Sequence, residues 1–283
     1  MSSPKDTDAQ RAPGRAGTVP YNDLDLRRWK DYEDVWTDSL WIIPARARGD
    51  GHQLEYHGNF VPQIATQVFQ RYTRRGEVVL DLFLGSGTSA IEAVRLERRC
   101  LGVELQERMI EHVGDRLPEA VRDGRVALLQ GDSTQPETHR RVAERMQAAW
   151  GQSQADLVML HPPYGNIIQF CEDPADLSNC EDTEAFLQAF SRVAAAAFEL
   201  LKPGRFAVLV IGDTYQKGEL TPLGFLCLQQ LNEAGFRTKS IVVKNIVGNE
   251  IAKGRAGNLW RYRALKGGFY IFKHEYVMVF RKP

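Results

Sequence analysis

The run Val78-Val79-Leu80-Asp81-Leu82-Phe83-Leu84-Gly85-Ser86-Gly87-Thr88-Ser89-Ala90-Ile91-Glu92 restricts the fold more than any other stretch of the chain. An apolar segment of strand length meets a glycine pair and passes into helix-forming residues, so it reads as strand, tight turn and helix. Asp156-Leu157-Val158-Met159-Leu160-His161-Pro162-Pro163-Tyr164-Gly165 repeats the plan, a buried strand followed abruptly by residues that cannot extend it. The two points are expected to face one site.

The same alternation runs through most of the chain. A helix over 62–72 shows apolar residues at Ile64, Ala65, Val68, Phe69 and Tyr72. Strand 78–82 leads to helix 88–97, strand 100–104 to helix 106–116, and strand 126–130 to helix 135–149. Strand 156–160 leads through a long loop to a helix over 182–201, with acidic residues in its first turn and Lys202-Pro203-Gly204 at its end. Strand 206–211, helix 222–234 and strand 237–243 follow, and a strand over 275–281 closes the chain. This pattern predicts a doubly wound α/β fold with a mostly parallel seven-stranded sheet. The last two strands have no helix between them, so the last is expected antiparallel.

Residues 1–20 have the composition of a disordered tail, and 21–58 form an N-terminal extension before a domain over 59–283. Within the extension Trp29, Tyr32, Trp36 and Trp41 recur near helical intervals, a stripe that suits packing better than base stacking, and residues 45–58 read as a loop. No window approaches the ~18 apolar residues of a membrane span and no export signal is apparent, so a cytoplasmic protein is expected. Cys100, Cys171, Cys180 and Cys227 lack metal-ligand spacing, so they are expected as reduced thiols with no metal site. Lys plus Arg and Asp plus Glu both total 36, so only local clusters can speak for or against nucleic acid.

The glycine turn lets a ligand approach the main chain and the free N–H groups of the helix start, although a strand-to-helix turn can use glycine for geometry alone. Two further acids add weight. Glu104 ends the second strand near the distance at which a carboxylate receives both ribose hydroxyls, and Asp132 ends the third, within reach of an adenine amino group. Singly, each could serve as a cap. Three successive strands ending in Asp81, Glu104 and Asp132 describe a nucleoside crevice.

The pairing of Asp-Leu-Phe-Leu-Gly-Ser-Gly-Thr (81–88) with His-Pro-Pro-Tyr (161–164) resembles the S-adenosylmethionine-dependent DNA amino-methyltransferases, which modify cytosine N4 or adenine N6. The likeness runs from about Asn59 to Gly165 and more weakly to the end of the chain. It implies a Rossmann-like methyltransferase fold, S-adenosylmethionine as cofactor with S-adenosylhomocysteine as product, and double-stranded DNA as partner. By the family pattern, Phe83, Gly85, Gly87 and Thr88 contact the methionine part, residues 59–63 with Phe60 and Pro62 pack beside it, Glu104 takes the ribose and Asp132 the adenine, and Asp81 belongs to the same cofactor-binding set. Tyr164 would stack on a base flipped from the duplex, and the Pro162 carbonyl with the side chain at 161 would accept the amino hydrogens, Pro163 stiffening the corner.

The family usually carries Asp, Asn or Ser where His161 stands. A neutral imidazole still accepts one hydrogen bond and a protonated one accepts none, so activity is expected to fall as pH drops through the titration of His161. Alternatively the ring only caps the strand. Residues 244–273 hold seven basic residues (Lys244, Lys253, Arg255, Arg261, Arg263, Lys266, Lys273) against Glu250, interleaved with Trp260, Tyr262, Phe269 and Tyr270. Such an insert suits phosphate contact and base stacking, with Lys253, Arg255, Trp260, Arg261, Arg263 and Lys266 as the DNA-binding set; a solvated connection is the plainer alternative. With little chain after the final strand, recognition is expected from this insert, the N-terminal segment or the acidic loop 165–181. Cytosine N4 is the favoured target and adenine N6 the second. An RNA guanine-N2 methyltransferase and a noncatalytic nucleic-acid-binding protein are further alternatives. A monomer or weak dimer is expected, while the recognition sequence and any companion restriction enzyme stay open.

Overall fold

The computed structural model describes residues 20–47, 58–164, 170–216, 219–246 and 257–283. The expected tail over 1–20, save its last residue, positions 48–57 of the expected loop, and the insert positions Lys253 and Arg255 lie outside the described residues.

The strands are β1 (Leu40–Trp41), β2 (Val78–Asp81), β3 (Arg99–Glu104), β4 (Val126–Gln130), β5 (Ala155–Leu160), β6 (Leu201–Ile211), β7 (Thr214–Gln216), β8 (Glu219–Thr221), β9 (Arg237–Asn245) and β10 (His274–Arg281). The helices are α1 (Pro62–Tyr72), α2 (Thr88–Arg95), α3 (Glu107–Arg116), α4 (Pro118–Arg122), α5 (Pro136–Trp150), α6 (Thr183–Leu200), α7 (Leu223–Glu233) and α8 (Gly257–Gly267). Eight strands form one sheet in the order β1-β9-β10-β6-β5-β2-β3-β4, and β7 and β8 make a separate ribbon. All neighbours in the sheet are parallel except β10, which runs antiparallel to both β6 and β9. The chain therefore has the doubly wound, Rossmann-like fold, with the last strand antiparallel.

Alternation along β2 shows why both faces are covered. Val78 and Leu80 enter a core with Val142 and Met146 of α5, Phe186, Phe190 and Val193 of α6, and Leu231 of α7, whereas Val79 enters one with Ile64 and Phe69 of α1 and Ala90 of α2. Each such fully buried Val, Leu, Ile or Phe contributes ~1.5–3 kcal/mol of transfer free energy. At the far end of the sheet, Asp156 at the start of β5 accepts from the Val78 N–H at 3.0 Å and from Lys202 Nζ at 2.8 Å. Arg205, which also pairs with Glu77, lies 3.5 Å from it.

Several expectations need correction. The sheet has eight strands rather than seven, because Leu40-Trp41 adds a two-residue parallel edge to β9. The aromatic stripe is not helical: a 3-10 turn covers only Leu26–Asp31, Trp29 is exposed, and Trp36 and Trp41 meet edge-on with ring centres 5.2 Å apart. The polar residues between the tryptophans supply no continuous apolar face for a helix to bury. β6 starts at Leu201, since Leu201 pairs with Ala155 and the Gly204 N–H donates to the Lys282 carbonyl at 3.0 Å. Part of the insert is helical, as α8.

From β2 the chain winds outward through β3 and β4, and from β5 in the opposite direction through β6. The reversal opens a crevice at the carboxyl ends of β2 and β5, where open α/β sheets bind ligands.

Candidate active site

The crevice holds a cavity of about 600 Å³, within the usual range for small-molecule sites. Its wall runs from Phe83, Gly85, Thr88, Glu104 and Asp132 to the corner His161–Tyr164 and on to Tyr215, Trp260 and Phe272. The crevice residues of β2, β3 and β4 and the corner after β5 thus border one space.

The glycine turn is held from beneath. Asp81 is buried, and its carboxylate accepts from the Phe83 N–H at 2.9 Å and from the Ser89 hydroxyl. Burial pushes this carboxyl above the ordinary range, although both hydrogen bonds act the other way. Asp81 ties the turn to α2 and does not itself line the cavity, and neither do Gly87 or Pro62. Gly87 has φ +87°, and a Cβ there would lie 2.9 Å from the Val113 side chain, so glycine is required on both counts. Pro62 is the first residue of α1, and Phe60, two residues earlier, is buried in the cavity wall.

Glu104 joins the glycine turn to the loop after β3. One oxygen accepts from the Gly85 N–H at 2.8 Å and the other from the Gln106 N–H at 3.0 Å. Burial raises the carboxyl from its ordinary value against the pull of these two donors. Each oxygen keeps a second lone pair for a ligand hydroxyl. Asp132 accepts from the Thr134 N–H at 2.8 Å and its hydroxyl at 2.9 Å, closing the turn that leads to α5.

At the corner, His161 Nδ1 lies 3.1 Å from the Val210 carbonyl and Nε2 2.8 Å from the Gly58 carbonyl. A neutral ring donates to one of these oxygens and faces the other with a lone pair, so in this placement it presents no free acceptor to the cavity. Phe60 and Tyr164 meet the ring edge-on, with centres 5.3 and 5.5 Å away. None of the hydrogen bonds among the described residues ends on the Pro162 carbonyl.

Tyr164 is fixed through its hydroxyl, which donates to Glu275 at 2.8 Å, and Glu275 in turn pairs with Lys244. Burial, then the neighbouring Glu275 charge, hold the phenol well above its ordinary value. A Cβ on Gly212 would stand 3.1 Å from the Tyr164 ring, so glycine leaves room for it. Lys244, one of the seven basic residues of 244–273, is buried to 1% exposure in β9 and cannot contact phosphate from there. Its partner Glu275 is directly opposite on β10, a register that a separation of 31 residues in sequence conceals.

Further wall residues carried no sequence signal. Tyr215 stacks on Phe272 at 4.7 Å and meets Phe269 at 4.9 Å, and Arg46 closes the side nearest Gly58–Val61. From the acidic loop, Asp176 and Leu177 also reach the wall, whereas 165–169 lie outside the described residues. On α8, Arg261, Arg263 and Lys266 are exposed and the Arg263 guanidinium sits 5.3 Å from the Trp260 ring centre. Among the described residues no group of three or more His, Cys, Asp or Glu could hold a metal, and no helix is long and apolar enough to cross a membrane.

Residues 4–114 match the DNA methylase family of N6 and N4 methyltransferases. Type II methyltransferase M.BglI of Bacillus subtilis is 28% identical over 99 residues, which cover 35% of this chain and 26% of that protein. Type II methyltransferase M2.DpnII of Streptococcus pneumoniae is 30% identical over 94 residues, covering 33% of each. The chain thus spans about a quarter to a third of the length of these curated relatives. Among solved structures, TrmN from Thermus thermophilus is similar at 18% identity and a TM-score of 0.49, covering 80% of this chain and 50% of that one. The glycine turn, the acidic strand ends and the Pro-Pro-Tyr corner border one cavity, and over residues 4–114 the chain is similar to the DNA methylases of the N6/N4 family.

Proposed function

We propose that the protein methylates the exocyclic amino group of a base flipped out of double-stranded DNA, with cytosine N4 as the target. The observation that carries this reading is the single cavity bordered both by the nucleoside-type carboxylates and by the aromatic corner. S-adenosylmethionine supplies an electrophilic methyl group on a sulfonium sulfur. Glu104 offers the ribose hydroxyls the lone pairs left by Gly85 and Gln106. Asp132, in the same wall, receives the adenine amino group. The ring of Tyr164, clamped through Glu275, offers a flat base a rigid face. The Pro162 carbonyl receives one amino hydrogen and so aims the nitrogen lone pair, which makes catalysis mainly a matter of position. His161 braces the corner through its two carbonyl contacts instead of receiving the second hydrogen.

The test is to incubate unmethylated genomic DNA with the protein and the methyl donor, digest to nucleosides and analyse by mass spectrometry. N4-methylcytosine is the expected product. N6-methyladenine would move the target to the second amino group, and unmodified DNA would overturn both.

A further inference from the structure

We infer that Arg46 is an anion-binding residue of the cofactor site and holds the carboxylate at the amino-acid end of S-adenosylmethionine. This rests on the cofactor reading above. Arg46 lines the cavity beside Gly58, Asn59, Phe60 and Val61. Its Nη1 donates to the Asn59 carbonyl at 3.2 Å, while its Nε is buried and has no hydrogen-bond partner among the described residues. No carboxylate among the described residues pairs with the guanidinium. Burial lowers the pKa of this arginine from its ordinary value.

The placement of Arg46 is closely determined. A single side chain of α1, Gln63, donates to the Ala45 carbonyl at 2.8 Å and accepts from the Ala47 N–H at 3.1 Å, clamping the residues on both sides. Three positions before Arg46, Asn245 of β9 binds both the N–H and the carbonyl of Ile43. The strand order also orders the ligand. Asp132 follows β4 and Glu104 ends β3, so a nucleoside seated on them continues past the β2 turn toward the side that Arg46 closes. A guanidinium presents a planar pair of donors that matches a carboxylate.

The experiment compares S-adenosylhomocysteine with its decarboxylated analogue, which keeps the amine, by calorimetric titration. The wild-type protein is expected to prefer the intact ligand by roughly 10- to 100-fold, the value of a charge-assisted hydrogen bond. Arg46→Ala should bring the two affinities to within about threefold by removing that bond, with the decarboxylated ligand bound as before. Arg46→Lys should keep part of the preference. A full preference in Arg46→Ala, or equal weakening of both ligands, overturns the assignment. So does weaker DNA binding with the preference intact, which would give the guanidinium to a phosphate. Wild-type protein that binds neither ligand would instead defeat the cofactor reading.

Discussion

Lys244 and Glu275 are oppositely charged, mutually paired and nearly excluded from water. Removing two ions from water costs several kcal/mol, and such a pair is therefore a poor source of net stability. What it does secure is the Tyr164 ring, because Glu275 accepts both the ammonium and the phenol hydrogen. Breaking the pair from one side leaves a buried charge unanswered, so Lys244→Met should destabilise the protein by ~3–5 kcal/mol. The double variant Lys244→Met with Glu275→Gln carries no buried charge there and should regain most of the loss. Urea unfolding of wild type, both single variants and the double variant completes the cycle. Additive losses would mean that the two groups do not act as a pair.

At the scale of elements, what could be read from the sequence follows burial. β2, β3 and β5 are covered on both faces, so their apolar runs stand out, and the glycine turn and prolines mark where they stop. β1 has two residues at a sheet edge, the β7/β8 ribbon lies outside the sheet, and the α8 region is basic without helical apolar spacing, so none announces itself. The site divides likewise. Acids at strand ends were visible, but Asp81 turned out to brace the turn, and Arg46 and Glu275 reach the cavity only through tertiary register. Asp156 shows an element fixed at its non-functional end. Burial disfavours its charge, but donation from Lys202, the Val78 N–H and Gln152 outweighs that cost and holds the carboxyl below its ordinary value. A depressed carboxylate stabilises the fold above its unfolded pKa, and the contribution is lost as pH falls through the folded one. Asp156→Asn should therefore cost ~2–4 kcal/mol near neutrality, and its deficit should shrink as both proteins are acidified. Urea midpoints across that range test this, and a deficit independent of pH would show that the charge is not what Asp156 contributes.

For the molecule as a whole, charge is balanced at 36 basic and 36 acidic residues, so the proposed DNA substrate would have to be attracted by where the charges sit. The sheet's ligand end carries acids inside the cavity, while α8 sets exposed Arg261, Arg263 and Lys266 beside Trp260 at its wall. If these three side chains meet the backbone of the duplex, each phosphate contact releases a counterion, and affinity falls with salt at a slope of about −0.9 per contact. Replacing all three by Gln should weaken DNA binding at low salt and flatten the slope by about 2–3. Affinity for S-adenosylhomocysteine should not change, because Glu104 and Arg46 lie on other elements. Fluorescence anisotropy with one duplex across a salt series measures the slope. An unchanged slope would remove α8 from the DNA-binding face and leave the duplex to the segments flanking the corner.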